Sequence, residues 1–224
     1  MIKTVFIDVD NTLLDFNECA KHSMAVSLKE YGHEYKDSYF GVFKGVNDEL
    51  WREIEKGTLT REGLYKVRWN RVFERLGIAI DGPEFEEKFI HNLHSSAVPV
   101  AGAHDILAYL SKKYTLCVTS NAPHNQQVTR LKNADMLGYL DHIFTSEDIG
   151  SQKPEKAFFD GCFARLGDIL PEECIIIGDS LTADIKGGID CGIKTCWFNY
   201  EQKSPKGDEA DYIVNNLSEI KEIL

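Results

Sequence analysis

From residue 99 onward the chain alternates between two patterns of apolar residues. Short runs rich in β-branched and aromatic residues are typical of buried strands, and the segments between them repeat their apolar residues at helical spacing. Together with an apolar run at residues 4–7, this alternation predicts right-handed strand–helix–strand units, a parallel sheet and hence a doubly wound, Rossmann-like α/β core. The later strands are predicted at residues 114–119, 142–144, 174–177, 194–198 and 212–214, and the helices at 104–113, 125–134, 155–166 and 183–191.

Residues 17–96 interrupt this alternation early in the chain. Their apolar residues recur every three or four positions, with almost no strand pattern. The turns that divide this segment into about four helices are predicted at Gly32, Gly57-Thr58 and Asp81-Gly82-Pro83. We therefore predict two domains, a helical insertion at residues 16–98 and an α/β core made of residues 1–15 and 99–224.

Composition narrows the range of partners. The formal net charge of −11 argues against binding a nucleic-acid polymer or an anionic membrane, because both call for clustered Lys and Arg. No apolar run is long enough to cross a bilayer, and the chain enters a core strand directly after residue 3 without a signal peptide. We expect a cytoplasmic protein, a monomer or small homo-oligomer, with a surface loop at the polar stretch 201–209.

Two carboxylates, Asp8 and Asp10, stand where the first strand should end. Side chains alternate along a strand, so both should point into the same crevice, and ligands of α/β sheets bind at the carboxyl ends of the strands. Two like charges in one crevice repel, and a hard divalent cation such as Mg²⁺ would offset them. Two aspartates at this spacing are also compatible with an ordinary acidic turn. The residues at the other strand ends are therefore needed to distinguish a metal site from such a turn.

The next two strand ends carry groups that could hold an anion. Thr119-Ser120-Asn121 offers hydroxyls and an amide that can donate hydrogen bonds to anionic oxygens, although a helix N-cap is an alternative interpretation. Lys153 lies in the loop after the third strand, and Pro154 stiffens that loop.

The strand at 174–177 ends in a further acidic group. Asp179 follows three consecutive isoleucines, and Asp184 comes five residues later. Buried carboxylates are rare unless they are paired or bound to a metal. Because the ends of parallel strands meet at one edge of the sheet, we expect these carboxylates to meet Asp8, Asp10 and Lys153 there.

Together the four strand ends resemble the four motifs of the haloacid dehalogenase superfamily, with the helical insertion in the position of its C1-type cap. The matching stretches are D-V-D-N-T-L at 8–13, T-S-N at 119–121, K-P at 153–154 and G-D-S-x-x-x-D at 178–184. Further stretches resemble the YjjG-like pyrimidine 5′-nucleotidase branch: Leu50-Trp51, Gly57-Thr58-Leu59-Thr60, Val128-Thr129-Arg130-Leu131 and residues 187–199.

The resemblance implies a division of roles between the aspartates. Asp8 would be the nucleophile that forms an acyl phosphate, and Asp10 the acid and base that protonates the leaving alcohol and later activates water. Mg²⁺ would be held by the Asp8 side chain, the Asp10 main-chain carbonyl and Asp179. Asp184 would lie just outside, orienting water or Lys153.

The same resemblance assigns the phosphate contacts. Ser120, Asn121 and Lys153 would stabilise the charge on the transferring phosphoryl oxygens, with Thr119 as the alternative to Ser120. The predicted activity is Mg²⁺-dependent hydrolysis of a small phosphorylated metabolite, with a nucleoside 5′-monophosphate as the leading candidate. A sugar-phosphate phosphatase, a phosphomutase and a regulatory protein without catalysis are the alternatives.

Overall fold

Six parallel strands form one sheet in the larger of two compact units. This computed structural model describes residues 1–205 and 209–224, so residues 206–208 of the predicted loop 201–209 lie outside the described residues. One unit comprises Met1–Phe16 with Ala97–Leu224, and the other comprises Asn17–Ser96. Within the described part of the chain, no helix combines the length and apolar character that a membrane span requires.

The strands confirm the predicted α/β fold class. They are β1 (Thr4–Ile7), β2 (Thr115–Ser120), β3 (His142–Thr145), β4 (Cys174–Gly178), β5 (Lys194–Phe198) and β6 (Tyr212–Val214). Their spatial order is β3-β2-β1-β4-β5-β6, and every neighbouring pair is parallel. The chain therefore winds outward in one direction from β1 and in the other from β4. This reversal creates a crevice at the carboxyl ends of β1 and β4, where ligands of such sheets bind.

The central strands are buried on both faces, which explains their almost purely apolar sequences. All four residues of β1 and all five of β4 are buried. Val5, Ile7, Ile175 and Ile177 belong to one apolar cluster, whereas Phe6 and Ile176 belong to a second. Alternating side chains thus fill separate cores on the two faces of the sheet.

Nine α-helices are found among the described residues. They are α1 (Phe16–Glu30), α2 (Asp37–Glu55), α3 (Arg61–Leu76), α4 (Gly82–Ser95), α5 (Ala103–Leu110), α6 (His124–Asn133), α7 (Ser146–Ile149), α8 (Lys156–Leu166) and α9 (Lys186–Asp190). The unit Asn17–Ser96 is helical, in agreement with the four helices predicted there.

Aromatic residues form the interior of the helical unit. Trp69 is buried and packs against Phe43, Phe73 and Phe85, with ring centroids 4.4 Å from Phe85 and 5.2 Å from Phe43. The helical spacing of these residues is thus that of a packed core.

The helix predicted at 183–191 has a different start. A π-helical turn, Leu181–Ile185, precedes α9, and the Ser180 hydroxyl accepts a hydrogen bond from the Ala183 main-chain N–H. This wider turn brings Asp184 back against the end of β4: a Cβ on Gly178 would lie 2.2 Å from Asp184 Oδ2. Gly178 is therefore required for the close approach of these two segments.

Gly188 provides a test of how closely α9 packs on the sheet. A Cβ at this position would lie 2.6 Å from Ile176 Cγ2 on β4 and 2.8 Å from Thr195 Cγ2 on β5. We expect Gly188→Ala to lower the free energy of unfolding by about 1–3 kcal/mol, because overpacking forces the sheet and helix apart. Urea denaturation of both proteins measures this difference.

Gly138→Ala is the matched control, since a Cβ there would have no atom within 4 Å. Its stability should change by less than about 0.5 kcal/mol. Equal effects of the two substitutions would contradict the close packing of α9.

Candidate active site

Lys153 lies at the centre of the strand-end residues. Its buried ammonium donates hydrogen bonds to Asp8 Oδ1 at 2.7 Å, Asp184 Oδ1 at 2.6 Å and the Thr119 carbonyl oxygen at 2.7 Å. Burial lowers the pKa of Lys153, but the charges of Asp184 and Asp8 outweigh it and raise the pKa above its ordinary value. The lysine is therefore a fixed positive charge, not a solvated surface side chain.

Three carboxylates converge on this position. Each of Asp8, Asp179 and Asp184 offers an oxygen atom, and these oxygens lie within 4.8 Å of one another. Burial raises the pKa of Asp8 to about 7, with Asp184 and Asp10 adding to the effect and Lys153 opposing it. Burial, followed by the charges of Asp8 and Asp184, also raises the pKa of Asp179 well above its ordinary value.

The oxygen cluster fits a hard divalent cation. A single ammonium does not balance three neighbouring carboxylates, and burial raises the pKa of Asp8 and of Asp179 because it makes their anionic forms costly. Mg²⁺ prefers oxygen ligands and is commonly bound through one or two carboxylates plus water and phosphate oxygens. Asp8 and Asp179, on the two central strand ends, could serve as such ligands.

Asp184 contacts Lys153, as one of its predicted roles requires. One of its carboxylate oxygens accepts from Lys153, and the other accepts from the Ser180 main-chain N–H at 3.2 Å. Asp184 thus holds the lysine while lying within the oxygen cluster.

Asp10 lies in the turn that follows β1. Strand β1 ends at Ile7, and the next residues form a tight turn in which Asn11 has a φ of 60°. The Val9 carbonyl accepts from the main-chain N–H groups of residues 12–14 in this turn. Val9 packs in the same apolar cluster as Val5 and Ile7, and the charge of Asp10 contributes to the raised pKa of Asp8. That the two carboxylates face one crevice stays a prediction.

Two residues of α6 hold the Asp10 carboxylate. Arg130 Nη1 donates to Asp10 Oδ1 at 2.5 Å, and Gln127 Nε2 donates to Oδ2 at 2.7 Å. Gln127 has no predicted role, and Arg130 is predicted only as part of the stretch Val128-Thr129-Arg130-Leu131 that resembles the nucleotidase branch. The available signal was their spacing of three, which places both polar side chains on one helix face.

Ser120 lies beside this group at the end of β2. Its hydroxyl oxygen accepts from Gln127 Nε2 at 2.9 Å and from the Ala122 main-chain N–H at 3.1 Å. The Thr119 hydroxyl is also buried and makes no hydrogen bond with the described residues, so both candidates for the phosphate contact stay open.

Asn121, directly after β2, joins this strand end to the loop that carries Lys153. Its side-chain oxygen accepts from the Lys153 main-chain N–H at 2.8 Å, and its side-chain nitrogen donates to the Lys153 carbonyl at 2.9 Å. This two-way pairing fixes the main chain that carries the lysine. The predicted role of Asn121 as a phosphate ligand stays a prediction alongside this observed structural one.

Relatives with assigned names match nearly the whole chain. The Bacillus subtilis protein YfnB, whose name places it among the HAD-hydrolases, is 33% identical over 99% of this chain and 95% of its own length. The pyrimidine 5′-nucleotidase PynA of Streptococcus pneumoniae is 31% identical over 88% of this chain and 84% of its own length. The pyrimidine 5′-nucleotidase YjjG of Escherichia coli is 27% identical over 98% of this chain and 96% of its own length.

A solved structure shows the same fold. The crystal structure of YfnB bound to magnesium superposes with a TM-score of 0.94 at 32% identity, covering 100% of this chain and 98% of that chain. The model of the haloacid dehalogenase-like hydrolase family matches residues 5–198, a span that contains all four predicted motifs. The chain therefore belongs to the haloacid dehalogenase-like hydrolases.

Proposed function

We propose that this protein is a Mg²⁺-dependent phosphatase that hydrolyses nucleoside 5′-monophosphates through a phosphoryl group carried on Asp8. The observation that supports this most directly is the placement of Asp8 at the end of β1, with one carboxylate oxygen held by Lys153. The Asp10 carboxylate, two residues on, is held by Arg130 and Gln127 of α6. The site thus supplies one carboxylate to attack phosphorus and another to move protons.

The proposed reaction has two displacement steps. An Asp8 oxygen forms a bond to phosphorus while the bond from phosphorus to the leaving alcohol oxygen breaks, and that oxygen takes a proton from protonated Asp10. Water then adds to the phosphorus of phospho-Asp8 and gives its proton to the Asp10 carboxylate. The bond between phosphorus and Asp8 breaks, which releases inorganic phosphate and restores both aspartates.

Positive charge and hydrogen-bond donors oppose the negative charge of the phosphoryl group. Lys153 offsets part of the negative charge of the surrounding carboxylates, and the Ser120 or Thr119 hydroxyl would donate to a phosphoryl oxygen. Mg²⁺, held by Asp8, Asp179 and the Asp10 carbonyl, would add charge stabilisation at the same oxygens.

The names of two relatives support the nucleotide substrate. PynA and YjjG are both named pyrimidine 5′-nucleotidases, and this chain covers most of each. We assign the choice of substrate to the helical unit Asn17–Ser96, in the role of a cap. The proposal includes a cytoplasmic location, and the net charge of −11 supports the expectation that no nucleic-acid polymer is bound.

Replacement of the nucleophile tests the proposed reaction. Asp8→Asn should lower kcat by roughly 10⁴-fold or more, because an amide cannot form the phosphoenzyme. Release of inorganic phosphate should be measured with Mg²⁺ on nucleoside 5′-monophosphates and sugar phosphates, with nucleotides expected to give the highest kcat/KM.

Asp190→Asn is the control for loss of one carboxylate, since Asp190 is exposed and paired with Lys186 on the surface. It should retain full activity. Substantial turnover by Asp8→Asn would refute the nucleophile, whereas preference for sugar phosphates would refute only the substrate assignment.

The effect of Mg²⁺ on stability should depend on pH. In metal-free buffer the raised pKa of Asp8, about 7, means that the folded state holds this proton more tightly than the unfolded chain. That contribution is present below the ordinary pKa of aspartate and is lost as the pH rises through about 7. Mg²⁺ should therefore stabilise the protein more at about pH 8 than at about pH 5, where protons compete for the ligands.

Chemical denaturation with EDTA or with Mg²⁺ measures this difference. At a concentration of 100 times the dissociation constant, Mg²⁺ should add about 2.7 kcal/mol. Asp179→Asn should remove most of this gain, and Asp190→Asn should keep it. An unchanged gain in Asp179→Asn would show that Asp179 is not a ligand.

A further inference from the structure

The Asp10 carboxylate is held on both of its oxygens by side chains that are themselves inaccessible to solvent. Its side chain is 27% exposed, whereas Arg130 and Gln127 are each 0% exposed. Arg130 donates to one oxygen and Gln127 to the other. Two hydrogen bonds from different side chains fix both the position of a carboxylate and the rotation of its plane.

The orientation of Gln127 is itself determined by its neighbours. Its side-chain oxygen accepts from Arg130 Nη1 at 3.2 Å, so the side-chain nitrogen is directed to Asp10 and Ser120. The spacing of three residues on α6 places both side chains on one face of the helix. Arg130 and Gln127 therefore act as one unit.

Stability alone is a weak explanation for this unit. A buried ion pair often contributes little net stability, because the desolvation of both charges offsets their attraction. What the pair does provide is a defined position for Asp10. Gln127 Nε2 also links Asp10 Oδ2 at 2.7 Å to Ser120 Oγ at 2.9 Å, which joins the proton-transfer group to a candidate phosphate contact.

We propose that Gln127 and Arg130 are positioning residues that hold the Asp10 carboxylate where it exchanges protons with the leaving alcohol and with water. This inference rests on the proposed phosphatase function. Neither residue touches the reacting atoms; both act through Asp10. Their loss should weaken the steps that need proton transfer by Asp10 and spare the attack of Asp8 on phosphorus.

Esters with different leaving groups separate these effects. A nucleoside 5′-monophosphate releases an alkoxide-like oxygen that needs a proton, whereas p-nitrophenyl phosphate releases a stable phenolate that does not. Attack by water on phospho-Asp8 needs Asp10 with either ester. A misplaced Asp10 should therefore slow both steps with the nucleotide but only the second step with the aryl ester.

The variants are Gln127→Met and Arg130→Met, which remove the donors and keep much of the side-chain volume, and Arg130→Lys, which keeps the charge. With the nucleotide, the two Met variants should lose about 10–100-fold in kcat, with KM changed by less than about 3-fold. With p-nitrophenyl phosphate, rapid mixing should show a first turnover within about 3-fold of normal. This first turnover should appear as a burst of p-nitrophenol that is larger than the burst of the unmodified protein, because phospho-Asp8 accumulates when the second step is slow. Arg130→Lys should recover part of the nucleotide activity.

Lys132→Met is the matched control, since it removes a positive charge from the exposed face of the same helix. This variant should hydrolyse both esters at the rates of the unmodified protein. The burst amplitude also counts the correctly folded sites in each variant, so a loss from misfolding is separated from a slow second step.

Three results would overturn the inference while leaving the phosphatase function intact: equal losses with both esters in the first turnover, a loss confined to KM, or full activity in both Met variants. Absence of Mg²⁺-dependent turnover of either ester by the unmodified protein would instead refute the proposed function, and this inference with it.

Discussion

The buried ammonium of Lys153 is the interaction on which the site depends. It lies among carboxylates from the first and last of the four strand-end motifs, and its hydrogen bonds to Asp8 and Asp184 join residues 145 and 31 positions away. Removing water from several like charges is expensive, and a fixed cation reduces that cost. Asn121 and the Thr119 carbonyl hold the lysine from the neighbouring strand end. The hydrogen bonds of Lys153 thus join the loops that follow separate strands.

The topology of the sheet makes this convergence possible. Because winding reverses between β1 and β4, the loops after these two strands diverge and leave a crevice between them. Gly178 allows the π-helical turn to bring Asp184 back into that crevice, and Gly188 allows α9 to lie directly on the sheet. Small residues at these two points are therefore as necessary to the arrangement as the charged ones.

The two aspartates after β1 have distinct surroundings. Asp8 accepts a hydrogen bond from Lys153 and lies close to two further carboxylates, those of Asp179 and Asp184. These surroundings favour a role for Asp8 as metal ligand and nucleophile. Asp10 is held by an arginine and an amide on α6, which favours proton transfer from a constant position. A turn of only a few residues separates these environments, so the chemical difference between identical side chains comes from their neighbours.

The sequence by itself determined the fold class, the helical character of the insertion, and the residues at the strand ends, because these depend on local periodicity and on the rule that parallel strands end at one edge. It also identified the family through the four motifs. The tertiary structure alone decided the strand order and the partners of Asp10, since those partners come from a helix about 120 residues away. The pairing of Asn121 with the Lys153 main chain was likewise beyond local pattern, because it depends on how two loops pack.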